Sequence, residues 1–168
     1  MMTGTLIDHN VWMAYLLTIF LVVTAFAAYD ILYRRVPDRA LACFLVLAAL
    51  APVIRTHFIA EFRQSHMIWP VYIESILGAV LGFSIPLAAT MVTGGSGMGG
   101  GDIKFCGVLG LVYGPSGMTL VFLVAAGSAM PVALLFRRLF RDKHPIAIPF
   151  LPFLACGCSL ATLVQIFR

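Results

Sequence analysis

VWMAYLLTIFLVVTAFAAYD, Val11 to Asp30, runs through nineteen uncharged residues and then ends on a carboxylate. A helix rises about 1.5 Å per residue, so about 20 apolar residues cross the roughly 30 Å of hydrocarbon in a bilayer. Val11–Tyr29 therefore predicts a membrane-spanning helix. The ten residues before it, MMTGTLIDHN, carry no Lys or Arg, and the apolar run is longer than a secretory signal requires, so the segment reads as a retained span. The whole chain has the same character: 61% of its 168 residues are hydrophobic and 11% are charged, and mean hydropathy is +1.01. Soluble domains carry roughly a quarter charged residues, and a chain this short could not hide so much apolar surface in one core. The bilayer must be the solvent. Eleven basic and seven acidic residues form no basic face, which excludes nucleic-acid binding.

Five more apolar runs follow. Ala40–Ile54 is short. Pro70–Val92 opens on a proline, where the missing N–H costs nothing, and Pro86 is expected to kink it. After the glycine-rich stretch Gly94–Gly101, Ile103–Tyr113 is only about half a membrane thick. Pro115–Phe136 and Ile146–Phe167, the latter with Pro149 and Pro152 near its start, complete the set. The reading is one all-α integral membrane domain over 1–168, with about six transmembrane helices at 11–29, 40–54, 70–92, 103–113, 115–136 and 146–167.

Lys and Arg concentrate in short cytoplasmic loops. With the N-terminus outside, the cytoplasmic face receives Arg34, Arg35, Arg39, Lys104, Arg137, Arg138, Arg141 and Lys143, against Arg55, Arg63 and Arg168 outside. The bias predicts an N-out orientation and explains the basic pI, with anionic-lipid contact a secondary effect. Cys43, Cys106, Cys156 and Cys158 lie in apolar stretches without paired CxxC spacing, so free thiols filling the core are expected, with no metal site, cofactor or disulfide framework.

Acids are costly near a bilayer unless paired or hydrated, so each is a functional candidate. Asp8, Asp38, Glu61 and Asp142 fall in loops or termini as solvated charges, and Glu74 reads as an interfacial structural group. Asp30 and Asp102 differ. Asp30 closes the first span in AAYDILYRRVPDR, and Asp102 follows three glycines in SGMGGGDIKF. Two crossings separate them, so they share one face of the membrane, the cytoplasmic one by the basic-residue count. Two carboxylates close together share a proton because like charges oppose double ionisation, and the resulting acid and base can activate water on a carbonyl. That is aspartic protease chemistry. Gly99, Gly100 and Gly101, lacking Cβ atoms, let an extended substrate backbone come close.

In these features the chain resembles the type IV prepilin peptidases, membrane aspartic proteases of the GxGD type. The first motif is an Asp ending a membrane helix before a basic stretch and a hydrophobic–Pro pair: Asp30, Arg34, Arg35, Val36 and Pro37. The next residue is often Asn in the family and is Asp38 here. The second motif is GxGDxK, at Gly99, Gly101, Asp102 and Lys104. The third is IPFxPFL at Ile148, Pro149, Phe150, Pro152, Phe153 and Leu154. The resemblance implies a GxGD protease fold and cleavage of prepilin leaders at the cytoplasmic face of the bacterial inner membrane, with Asp30 and Asp102 as the catalytic pair. The implied substrate is a prepilin with a basic leader before an apolar helix. Larger members carry a cytoplasmic loop with a four-cysteine zinc motif and methylate the new N-terminus. This sequence lacks that motif and looks like the peptidase-only form associated with Flp or tight-adherence pili.

Lys104 either tunes the acid pair or contacts anionic headgroups, and the lipid reading is favoured because no chemistry demands a Lys there. Gly78 and Gly82 form a GxxxG motif that could receive a substrate helix but is read as internal packing. Three rivals are weighed. A small proton-coupled transporter would put acids near mid-membrane. A non-catalytic pilus or secretion subunit leaves the acid pair unexplained. A protease of the presenilin kind would carry a PAL sequence, which is absent.

Overall fold

The computed structural model describes residues 2–34, 36–58, 69–94, 98–139 and 150–167. Arg35, Glu61, Arg63, Arg141, Asp142, Lys143, Arg168, the motif residues Ile148 and Pro149, and the start of the expected last span at 146–149 lie outside them. The described residues form α1 (Met2–Tyr33), α2 (Asp38–Ala49), α3 (Ala51–Phe58), α4 (Trp69–Val92), α5 (Gly100–Leu139) and α6 (Leu151–Phe167). Among the described residues, four stretches are long and apolar enough to cross a membrane: 10–33, 38–56, 69–92 and 100–135. The 17-residue α6 is shorter. The fold is that of an all-α integral membrane protein.

The expected span 40–54 lies within the apolar stretch 38–56, which a turn at Leu50, still right-handed helical in its backbone angles, divides into α2 and α3. Pro52 has no N–H to offer the carbonyl one turn back, and Leu50 bonds instead to Leu47 O at 3.3 Å. The helix α4, by contrast, runs on through Pro86.

Gly114 divides α5 into two arms, between the expected segments 103–113 and 115–136. Its φ of 67° and ψ of −177° belong to a region open essentially to glycine alone, and Pro115 then opens the second arm with a ready-made helical φ. The arms run in opposite senses along α6. In the first, Tyr113 Oη and Thr162 Oγ1 share a hydrogen bond of 2.9 Å, while Asp102 lies at the α6 N-terminus. In the second, Gly117 approaches Gln165 and Gly157 meets Val121, so the chain retreats toward the start of α6. The glycine is a hairpin, and the first arm, 14 residues or about 21 Å, runs from the end of the bundle that holds Asp102 to the end that holds Arg55 and Glu74.

Glycines let these helices touch backbone to backbone, as membrane interfaces require where no hydrophobic force draws helices together. A Cβ on Gly78 would stand 2.2 Å from Gly110 O, and one on Gly82 would stand 2.3 Å from Cys106 O. The GxxxG motif of α4 is therefore spent on internal packing against α5. The outward surface is apolar: Leu21, Val46 and Leu123 are 68%, 68% and 72% exposed, the signature of a surface solvated by lipid. All four cysteines are free, but only Cys106 and Cys158 are buried; Cys43 and Cys156 are exposed. Those two depart from the expected core role because an outward apolar position here meets lipid, where a small thiol is at no disadvantage.

Candidate active site

Asp30 and Asp102 are brought together at one end of the bundle, although their helices are far apart in sequence. Beneath them is an aromatic cluster. Phe26, one turn before Asp30, and Phe105, one turn after Asp102, meet with ring centroids 5.1 Å apart, and Phe44 of α2 packs on both at 5.8 and 5.3 Å. Side chains one turn apart share a helix face, so the ring contact turns both carboxylates toward a common point. Asp30 lies within the electrostatic reach of Asp102.

Each acid has a distinct setting. Asp30 is 6% exposed; the Leu151 backbone N–H at the start of α6 is directed at its carboxylate, and the Arg34 charge lies within range. A helix N-terminus offers free N–H groups to an anion, which gives the third motif a role: it delivers the first turn of α6 to Asp30. The Asp30 Oδ2 atom is buried with no hydrogen-bond partner among the described residues. Asp102 is the third residue of α5 and folds back onto the Gly99 backbone N–H, the acidic half of a capping box, while its own N–H donates to Gly99 O at 3.0 Å. It remains partly open to the surface.

The glycines divide by neighbour. Among the described residues, a Cβ on Gly100 would meet nothing within 4 Å, and one on Gly99 would meet only Asp102 itself, whereas one on Gly101 would stand 3.0 Å from Val36 Cβ. Gly99 and Gly100 thus form an open rim beside Asp102, and Gly101 admits the turn that follows Asp30. That turn begins where Arg34, at φ 52°, takes the left-handed conformation that ends many helices, its N–H donating to Asp30 O at 2.8 Å. Lys104 Nζ lies 3.3 Å from Asp38 Oδ1, so a protein acid occupies the cation assigned to lipid headgroups. Phe150 and Phe153 pack against the core. Sequence reading missed the Leu151 N–H, the seat of Val36 and the Asp38–Lys104 pair. All three join segments distant in the chain, and only the VPD and GxGDxK motifs hinted at them. Among the described residues, no three His, Cys, Asp or Glu side chains converge as a metal-binding group.

A polytopic helical membrane protein with two acids converging at one end of its bundle, one of them on a glycine rim, belongs with the membrane proteins that carry ionisable groups for a purpose. Residues 15–134, which include both acids, match the type IV leader peptidase family, and the chain belongs to that family. The IPFxPFL segment lies beyond the matched range. The chain is similar to the prepilin leader peptidase/N-methyltransferase of Bacillus subtilis (strain 168), with 30% identity over 139 residues, 82% of this chain and 50% of that protein. It spans about half the length of that curated relative. No solved structure matches it significantly.

Proposed function

We propose that this protein is an aspartic endopeptidase that removes the leader peptide of type IV prepilins at the cytoplasmic face of the bacterial inner membrane, with Asp30 and Asp102 as its catalytic pair. The observation that carries the reading is the convergence of two acids, with a buried, unpartnered Oδ2 on Asp30, beside the open glycines 99 and 100. One ionised carboxylate takes a proton from a bound water as that water attacks the scissile carbonyl. The other, protonated, donates to the carbonyl oxygen and then assists the leaving amine. The pair titrates as a unit. An extended substrate backbone approaches Asp102 over the rim, and the apolar helix of the prepilin stays in the bilayer.

Charge supports the cytoplasmic location: Arg34 and Lys104 lie near the acids and Arg55 with Glu74, and a basic bias toward the acid-bearing end favours an N-terminus outside. The name of the Bacillus subtilis relative includes an N-methyltransferase. For this chain we propose peptidase activity alone, on Flp-type prepilins, because Cys43, Cys106, Cys156 and Cys158 have no paired CxxC spacing like that of the four-cysteine zinc motif of the larger members.

Co-expression with a Flp-type prepilin tests this. A leader-sized drop in pilin mass is expected, and it vanishes in both Asp30→Asn and Asp102→Asn. Processing that survives either substitution overturns the assigned pair. Proton uptake in liposomes without pilin cleavage would transfer the chain to the transporters.

A further inference from the structure

Below the two acids, their helices meet through Phe26 against Phe105. A second attachment lies on the other side of the acids. Directly after Asp30 the chain turns, Val36 settles on Gly101, and Asp38, in the first turn of α2, pairs with Lys104 at 3.3 Å. The attached residues flank Asp102 by one position before and two after. Among the described residues α2 packs on α5, while α1 packs chiefly on α6 and α3. The α1–α2 turn therefore ties Asp30, through a few residues of chain and then these two non-covalent contacts, to the turn that bears Asp102.

We propose that Asp38 and Lys104 are positioning residues: their ion pair, with Val36 seated on Gly101, holds Asp102 at its working distance from Asp30. The inference rests on the catalytic reading given above. Both side chains are largely exposed, at 80% for Asp38 and 58% for Lys104, so the pair adds little to global stability. Its effect is on registration, where a displacement of about 1 Å can cost up to about 100-fold in rate. Asn, with an acceptor oxygen at the same place, can also receive the Lys104 ammonium, whereas Lys cannot.

Two measurements on the full-length protein test the proposal. In the first, Asp38→Lys lowers kcat for prepilin cleavage about tenfold with KM held within about twofold, Asp38→Asn recovers most of the loss, and Asp38→Lys combined with Lys104→Asp restores it. In the second, which needs no activity, Asp30→Cys with Asp102→Cys is prepared in a Cys43→Ser, Cys156→Ser background and cross-linked with a short bis-maleimide. Adding Asp38→Lys slows the cross-link severalfold while the unfolding temperature holds. Unchanged cross-linking overturns the proposal whatever the activity does, as does slowed cross-linking with kcat unaltered. A wild-type protein that cleaves no prepilin refutes the peptidase reading instead, and the cross-linking comparison then decides the positioning claim alone.

Discussion

The bundle carries charge at both ends, and the two ends use it differently. At the end holding the Gly114 hairpin, Arg55 is mostly buried, stacks over the Trp12 ring at 5.6 Å and lies 4.0 Å from Glu74. Three helices, α1, α3 and α4, meet there around opposite charges and a cation over a ring. At the other end two carboxylates of like charge lie within electrostatic reach of each other. Matched charge holds a fold together; like charge brought together opposes it and persists where function demands it.

Removing charge should therefore have opposite results at the two ends, and the largest effect is expected at the acids. Asp30→Asn or Asp102→Asn should lower prepilin cleavage by about 10²–10⁴-fold. Neither should lower the unfolding temperature, since Asn keeps the shape and an acceptor while relieving the repulsion. A large thermal destabilisation by either variant would show that the acids are structural, as Arg55 and Glu74 are, and would erase the contrast.

Next in size is the packing that supports both ends. A Cβ on Gly110 would stand 2.0 Å from Gly78 O, so Gly110→Val must separate α4 from the first arm of α5. A loss of about 1–3 kcal/mol or more is expected for such overpacking, read as a lower unfolding temperature in detergent. Gly114→Ala should cost a similar amount, about 1–3 kcal/mol, because its backbone lies in a glycine-only region. Normal stability in Gly114→Ala would mean that the arms of α5 do not reverse there.

Smaller still is the charge pair itself. Glu74 is half exposed, so Glu74→Gln should lower stability by no more than about 1 kcal/mol and leave cleavage per folded molecule unchanged. A cleavage defect without unfolding would link the hairpin end to the acids and break the division between them.

How much of this was legible in the sequence follows from the range of each interaction. Membrane character is written in local runs of residues, and the boundary at Gly114–Pro115 is a local signal too. The two acids stood out because a chain with seven acidic residues offers few to choose from. Pro52 was also visible, yet the apolar run around it concealed the break between α2 and α3. Illegible were contacts between segments with no shared local pattern: Val36 on Gly101, Lys104 on Asp38 sixty-six positions away, and the Leu151 N–H aimed at Asp30. Cys43 and Cys156 were misjudged because apolarity does not distinguish a residue facing the core from one facing lipid.

The smallest structural effect belongs to Gly100, and there the comparison between support and chemistry becomes sharpest. Three consecutive glycines could be a merely flexible loop, and Gly101 already has a packing reason in Val36. Gly100 has none: an added Cβ would meet nothing within 4 Å, and its backbone is helical. Gly100→Ala should therefore leave the fold intact or strengthen it by up to about 1 kcal/mol, by restricting the unfolded chain. If a substrate backbone passes over that surface, the extra methyl obstructs it, and prepilin cleavage should fall about threefold to tenfold through misplacement at Asp102. A stable variant that cleaves at the wild-type rate would confine the glycine requirement to Gly101 and its seat for Val36, moving the substrate's path away from the rim.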